Sequence, residues 1–193
     1  VPYQFRPALK IINSDEPRIL IADSVGVGKT IEAGLIIKEL DAREELEKIM
    51  IICPKPLVAE HKWRDEMHRF DEDFEELDGR GLRQLISDMD TYGEWSPRHN
   101  KVIVPYSILD SRVYEGEKEK KVQACGLEDL DPAPHFDLVI VDEAHHIRNG
   151  SMDKEKAYEI VFRKTVERKA YFSELEAPIC QRFAFRPIEK QDD

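Results

Sequence analysis

Apolar positions along this chain fall into two kinds of stretch, short continuous runs and helically spaced stripes, and the two alternate. Phe5, Leu9 and Ile12 sit at helical spacing and predict a short helix packed on a sheet, broken by Asn13-Ser14-Asp15-Glu16-Pro17. Ile19, Leu20 and Ile21 then form a run of strand length. Residues 31–40 carry Ile31, Leu35, Ile36 and Leu40, a stripe for one helix face, and 41–48 is a polar helix end and connector. Ile49–Cys53 is continuously apolar and closed by Pro54, the signature of a buried parallel strand. Strand, helix and strand in this order predict a βαβ unit.

Further on, residues 57–70 read as an amphipathic helix anchored by Val58, Trp63, Met67 and Phe70, and the acidic run 71–78 as a surface loop. Residues 82–86 are expected to form a short strand and 93–100 a loop. Val102, Ile103 and Val104 make a firmer strand ended by Pro105, followed by a helical stretch over 106–113 and a charged, exposed one over 115–121. Pro132 and Pro134 stiffen the connector into a last buried strand, 138–141. The sum is an α/β domain of three layers (αβα) with a central, mainly parallel sheet. No internal repeat is visible.

Size and composition narrow this only a little. At 193 residues the chain suits one domain with a proper core. No apolar run approaches the roughly 20 residues that span a bilayer, and no signal-peptide pattern opens the sequence, so no membrane association is expected. Cys53, Cys125 and Cys180 are scattered without Cys-x-x-Cys spacing, which points away from a disulfide framework or zinc knuckle and toward a reducing cytoplasm. The net charge of −11 speaks against a globally basic nucleic-acid binder, while leaving room for a local basic groove.

Candidate chemistry begins where the first strand ends. Asp23-Ser24-Val25-Gly26-Val27-Gly28-Lys29-Thr30 joins that strand to a helix in the manner of a phosphate-binding loop, with Asp23 standing where the strict pattern has Gly. Gly26 and Gly28 let successive N–H groups point into one concavity, and the helix start adds its positive dipole end. Lys29 can reach the outer phosphates, and the Thr30 hydroxyl can be placed on magnesium. A second site follows the strand at 138–141, where Asp142 and Glu143 emerge at the carboxyl end, the ligand-binding edge of open parallel sheets. Asp142 can hold magnesium opposite Thr30, and Glu143 can polarise an attacking water. Gln4 has an amide able both to donate to and to accept from an adenine edge, or simply a solvated one. Lys55, Lys62 and Arg64 form either a solvated face or a nucleic-acid backbone contact. The pair His145-His146 lacks the Glu or Cys spacing of a metal site.

Taken together, these segments resemble the first RecA-like domain of a superfamily-two helicase-type ATPase, a P-loop NTPase of the Swi/Snf-related DNA translocases with a DEAH box. Pro2-Tyr3-Gln4 is similar to the glutamine motif, residues 23–34 to motif I, and Asp142-Glu143-Ala144-His145-His146-Ile147-Arg148-Asn149 to motif II. Cys53-Pro54-Lys55-Pro56-Leu57-Val58 with Trp63-Arg64-Asp65-Glu66 resembles motif Ia, and Val104-Pro105-Tyr106-Ser107 resembles motif Ib. The resemblance covers about residues 2–150. It implies ATP and Mg2+ as ligands and ATP hydrolysis as the reaction. Gln4 would read adenine; Asp23, Ser24, Val25, Gly26, Val27, Gly28, Lys29 and Thr30 would hold ATP, and Thr30 and Asp142 the metal. Glu143 and Lys29 would be catalytic, and His145 would couple nucleotide to motion. Lys55, Pro56, Tyr106 and Ser107 would lie along the phosphate backbone of double-stranded DNA.

The chain departs from that family in Ser24, where an acidic residue is usual, and in the absence of a Ser/Thr-Ala-Thr motif III after motif II. Residues 152–162 can form a helix, but 163–170 lack the apolar strand expected next, so 1–150 reads as the ATP-binding domain and 151–193 as a divergent or truncated segment. A second RecA-like lobe or partner subunit, which in this family contributes an arginine worth about 10³–10⁵ in rate, is expected for full activity. The alternatives are a non-catalytic nucleotide-binding interaction module that docks a partner protein, and a small-molecule kinase, in which Asp142-Glu143-Ala144-His145 would have no use. No nucleophile elbow supports a serine or cysteine hydrolase.

Overall fold

The structure, a computed structural model, describes residues 2–13, 18–21, 28–43, 46–117, 124–144 and 166–172. In these, helices α1 (Arg6–Asn13), α2 (Lys29–Asp41), α3 (Lys55–Ala59), α4 (Lys62–His68), α5 (Gly79–Tyr92) and α6 (Ser111–Tyr114) surround one sheet. Its strands are β1 (Arg18–Ile21), β2 (Ile49–Cys53), β3 (Glu75–Glu76), β4 (Lys101–Pro105), β5 (Phe136–Val141) and β6 (Val166–Phe172). They lie in the order β1-β6-β5-β2-β4-β3, and every described pairing is parallel.

Strand alternation divides the core into two layers. Ile49, Ile51, Cys53, Leu138 and Ile140 pack with Ala8, Ile11, Ile36, Trp63 and Met67 of α1, α2 and α4. Met50, Ile52, Val139 and Val141 face the other way, onto Leu82, Leu85, Ile86 and Met89 of α5 and Val113 of α6. A strand covered on both faces must be apolar at every position, which is why β2 reads as an unbroken run. The three-layer, parallel α/β architecture expected from the sequence is the one observed. No helix among the described residues is long and apolar enough to cross a membrane.

Several local expectations are corrected. The first helix forms, after a 3₁₀ turn at Pro2–Phe5, but it buries Pro7, Ala8 and Ile11, while Phe5 and Leu9 are exposed. The stripe on α2 is likewise rotated, with Ala33, Gly34, Ile36, Ile37 and Leu40 inside and Ile31 outside. There Gly34 lies so close to the Phe70 ring that a Cβ would overlap it. The helix over 57–70 is two helices, because His61 adopts a left-handed conformation (φ 54°) between α3 and α4. The acidic stretch 71–78 is no surface loop, since Glu72, Phe74 and Leu77 are buried and Glu75–Glu76 forms the edge strand β3. Residues 82–86 belong to α5, whose start is capped by the Asp78 carboxylate accepting from the Gly81 N–H at 2.7 Å. Residues 106–113 are a 3₁₀ turn and the short α6 rather than one helix. Residues 166–172 do supply a strand, inserted between β1 and β5, where none was expected.

Candidate functional site

Strand register brings the candidate residues to one edge. Ile21 of β1 pairs with Phe172, Val141 of β5 pairs with Tyr171 and with Ile52 of β2, and Cys53 pairs with Pro105. The carboxyl ends of five parallel strands are therefore level, and the described segments that leave β2, β4 and β5 start from this one edge of the sheet.

Gly28 opens α2 in a left-handed conformation (φ 91°), and its carbonyl accepts from the N–H groups of Ile31 at 2.9 Å and Glu32 at 3.1 Å. Only glycine takes this geometry without strain. Any Cβ there would stand 2.7 Å from Nε2 of Gln4, so the buried Gln4 amide lies directly against the loop's last glycine. Lys29 and Thr30 follow in the first turn of α2, both half-buried. Asp23, Ser24, Val25, Gly26 and Val27 lie outside the described residues, as does His145.

Asp142 is 9% exposed and is held from both layers. From the α4 side, the Trp63 indole N–H donates to its Oδ2 at 2.9 Å. From the other side, the Tyr106 hydroxyl donates to its main-chain carbonyl at 2.5 Å. The Glu143 N–H donates to Oδ1 at 2.9 Å, and the Asp142 N–H continues the sheet by donating to the Ile52 carbonyl at 2.8 Å. Burial raises the Asp142 carboxyl above its ordinary value, opposed but not overcome by the Trp63 and Glu143 hydrogen bonds and by the charges of Lys29 and Lys62. Lys29 and Asp142 thus share one electrostatic neighbourhood. Glu143 is half-buried and left-handed (φ 47°), a conformation unusual for a side chain of its size. Burial, aided by the Asp142 and Glu76 charges, pushes the neighbouring Cys53 thiol up to about 12, so it is inert as a nucleophile.

Beside this crevice, Lys55 and Pro56 at the start of α3 are exposed, as is Ser107 after β4. Tyr106 is buried, with its hydroxyl turned to Asp142. The sequence alone marks Trp63 as a core anchor within the stretch resembling motif Ia, and Tyr106 as a nucleic-acid residue; neither reading connects them to Asp142. The available signal was chemical, because a buried indole N–H or phenol needs a partner.

The family model described as "Type III restriction enzyme, res subunit" matches residues 2–174. The chain belongs to this family. Its members are superfamily-two helicase-like ATPases, so at that level the chain is of a hydrolase family that uses ATP. Among its relatives, "RNA polymerase-associated protein RapA" of Histophilus somni is 32% identical over 166 residues, covering 84% of this chain and 16% of that protein. RapA of Pasteurella multocida is 33% identical over 166 residues, covering 83% and 15%. The chain therefore spans 15–16% of the length of these curated relatives. Among solved structures, the Sulfolobus solfataricus SWI2/SNF2 ATPase core in complex with dsDNA has a TM-score of 0.61 at 19% identity, covering 91% of this chain and 32% of that one. The same organism's SWI2/SNF2 ATPase core domain gives 0.58 at 17%, covering 89% and 30%. At such identities the likeness carries the fold alone, and it agrees with the RecA-like layers described above.

Proposed function

We propose that this chain is the first motor lobe of a DNA-dependent ATPase of the DEAH-box, Swi/Snf-related kind, binding ATP with Mg2+ and hydrolysing its γ-phosphate. The observation that carries this is that Lys29, at the start of α2, acts by its charge on Asp142, at the carboxyl end of β5. A helix N-terminus bearing a lysine suits phosphate, and a buried acid beside it suits the phosphate's metal.

The residues present fit both groups. The buried Gln4 amide packs directly against the left-handed Gly28, so it stands beside the loop, which supports a nucleotide bound there with its adenine near that amide. The Asp142 carboxylate and Thr30 hydroxyl are hard oxygen donors, and a cation beside Asp142 would offset the burial that raises its carboxyl. They would hold Mg2+, which when bound neutralises charge developing on the phosphate oxygens. Lys29 adds its ammonium to the phosphates, together with residues 23–27 of the loop. Glu143 is the group that takes up the proton of the attacking water and orients it. His145 would link the site to domain motion.

Lys55, Pro56 and Ser107 emerge from adjacent strand ends, which suits contact with successive phosphates of one DNA strand, sequence-tolerant and salt-sensitive. Tyr106 would act there only through its backbone or by leaving Asp142. That a SWI2/SNF2 ATPase core of this fold is known in complex with dsDNA supports duplex DNA as the partner. A second RecA-like lobe, on the same polypeptide or a partner, completes the motor, and a cytoplasmic setting suits it. In this reading residues 1–150 carry the motifs, and 166–172 complete the sheet on which they stand.

The test is phosphate release from ATP, with and without duplex DNA, for the wild type, Lys29→Ala and Glu143→Gln. DNA-stimulated release lost in both variants is the expected result. ATP binding without any turnover, unaltered by DNA and by a supplied second lobe, would favour a nucleotide-binding interaction module instead.

A further inference from the structure

We propose that Trp63 is a positioning residue of the ATP site, its indole N–H fixing Oδ2 of Asp142 so that the carboxylate meets Mg2+ in one orientation. The inference rests on the reading of Asp142 as a metal ligand. Its geometry is independent of that reading.

The chain has two tryptophans, and they spend their single donor differently. Trp95 donates to the main-chain carbonyl of His99 at 2.8 Å, four residues away, a local tie that steadies a loop. Trp63 donates across 79 residues of sequence to a charged side chain, from one layer of the fold to the end of the central strand β5. The left-handed His61 makes this possible, by ending α3 and starting α4 anew with Trp63 turned inward, 2% exposed. A leucine or phenylalanine would keep the site apolar beside Met67 and Ile140, with some volume lost, but neither carries a donor. What only the indole adds is the N–H.

Indole is chemically suited to this task. It donates and cannot accept, so it does not compete for a metal, and it does not titrate in the working range as histidine does. It engages Oδ2 while the Glu143 N–H engages Oδ1, which fixes the plane of the carboxylate and leaves each oxygen a further lone pair. Outer-shell donors of this kind are typically worth 10–100-fold in metal affinity.

The experiment compares the wild type with Trp63→Phe, measuring ATP affinity in excess Mg2+ and in EDTA. The expected result is a loss of roughly 10–100-fold in the Mg2+-dependent gain, with the EDTA affinity held by Lys29 and Gly28 unchanged. A packing role alone would lower melting temperature and leave that gain intact, which overturns the proposal. Should Trp63→Phe fail to fold, the two indole N–H resonances of the otherwise intact chain decide. Asp142→Asn without ligand, and Mg2+ with ATP on the wild type, are each expected to move the Trp63 resonance and leave Trp95 in place. A Trp63 resonance indifferent to both, while ATP binds, overturns the proposal but not the ATP site. Absence of ATP binding in the wild type overturns the site reading, and this inference with it.

Discussion

Glu72, at the amino end of the sheet, and Asp142, at its carboxyl end, are both buried carboxylates, 2% and 9% exposed. Glu72 meets two ammonium groups directly, Lys38 at 2.6 Å on one oxygen and Lys101 at 2.5 Å on the other. Burial raises its carboxyl, but the two lysines outweigh burial and hold it below the ordinary value. Asp142 meets the neutral donors Trp63 and Glu143, and feels Lys29 and Lys62 only as charges, so burial wins and its carboxyl is raised. One site has its charge answered within the fold, tying the end of α2 to the start of β4. In the other, burial outweighs the donors and charges around it, which costs stability and suits the cation-holding role proposed for it.

That contrast can be tested from its strongest consequence downward. Glu143→Gln should lower ATP turnover by about 10²–10⁴-fold while leaving ATP binding in place, as expected for loss of a general base. Equilibrium nucleotide binding alongside single-turnover phosphate release separates the two quantities. Gly28→Ala should weaken nucleotide binding and cost about 1–2 kcal/mol of stability, since φ 91° strains any L side chain. Calorimetry on the free variant reads the second effect.

At the opposite end, Glu72→Gln should destabilise by about 1.5–3 kcal/mol, the range for hydrogen bonds to charged groups, with no change in nucleotide affinity. Both lysines retain some access to water, at 40% and 27% side-chain exposure, which keeps the loss below that of a fully buried pair. The pH dependence has a definite sign. Because the folded-state value of Glu72 is depressed, its stabilising contribution is complete above the unfolded value near 4.5 and is lost as pH falls through the lower folded value. Denaturation curves of wild type and Glu72→Gln should therefore converge below pH 4.5 and stay apart above it. A gap of constant size across that window contradicts the ion-pair account.

The two ends also differ in how much the sequence disclosed. The strands β2, β4 and β5 were legible because burial on both faces demands continuous apolar runs, and Asp142 and Glu143 were legible because they follow one such run directly. The ion pairs of Glu72 were not, since an acidic residue in the run 71–78 carries no mark that Lys38 and Lys101 will converge on it. Helix α5 was misread where Leu82, Leu85 and Ile86 suggested a strand, although Met89 extends the same face and Asp78 caps it. Strand β6 holds Glu167, Arg168 and Lys169 and gave no apolar signal; its place is set by pairing with β1 and β5, a non-local property. Trp63 and Tyr106 reach Asp142 for the same reason, through contacts only the folded chain creates.

The most direct measurement of the central proposal, that Asp142 holds the nucleotide's cation, is the melting temperature of the wild type and Asp142→Asn, each with and without Mg2+ and ATP. Because a carboxyl raised by burial opposes folding once pH exceeds its unfolded value, the ligand-free variant should be more stable than wild type at neutral pH. Ligand at a hundredfold excess over its dissociation constant should stabilise the wild type by about 2.7 kcal/mol, roughly 5–11 °C, and the variant by far less. A variant no more stable than wild type when free, and stabilised equally by Mg2+ and ATP, would contradict the account.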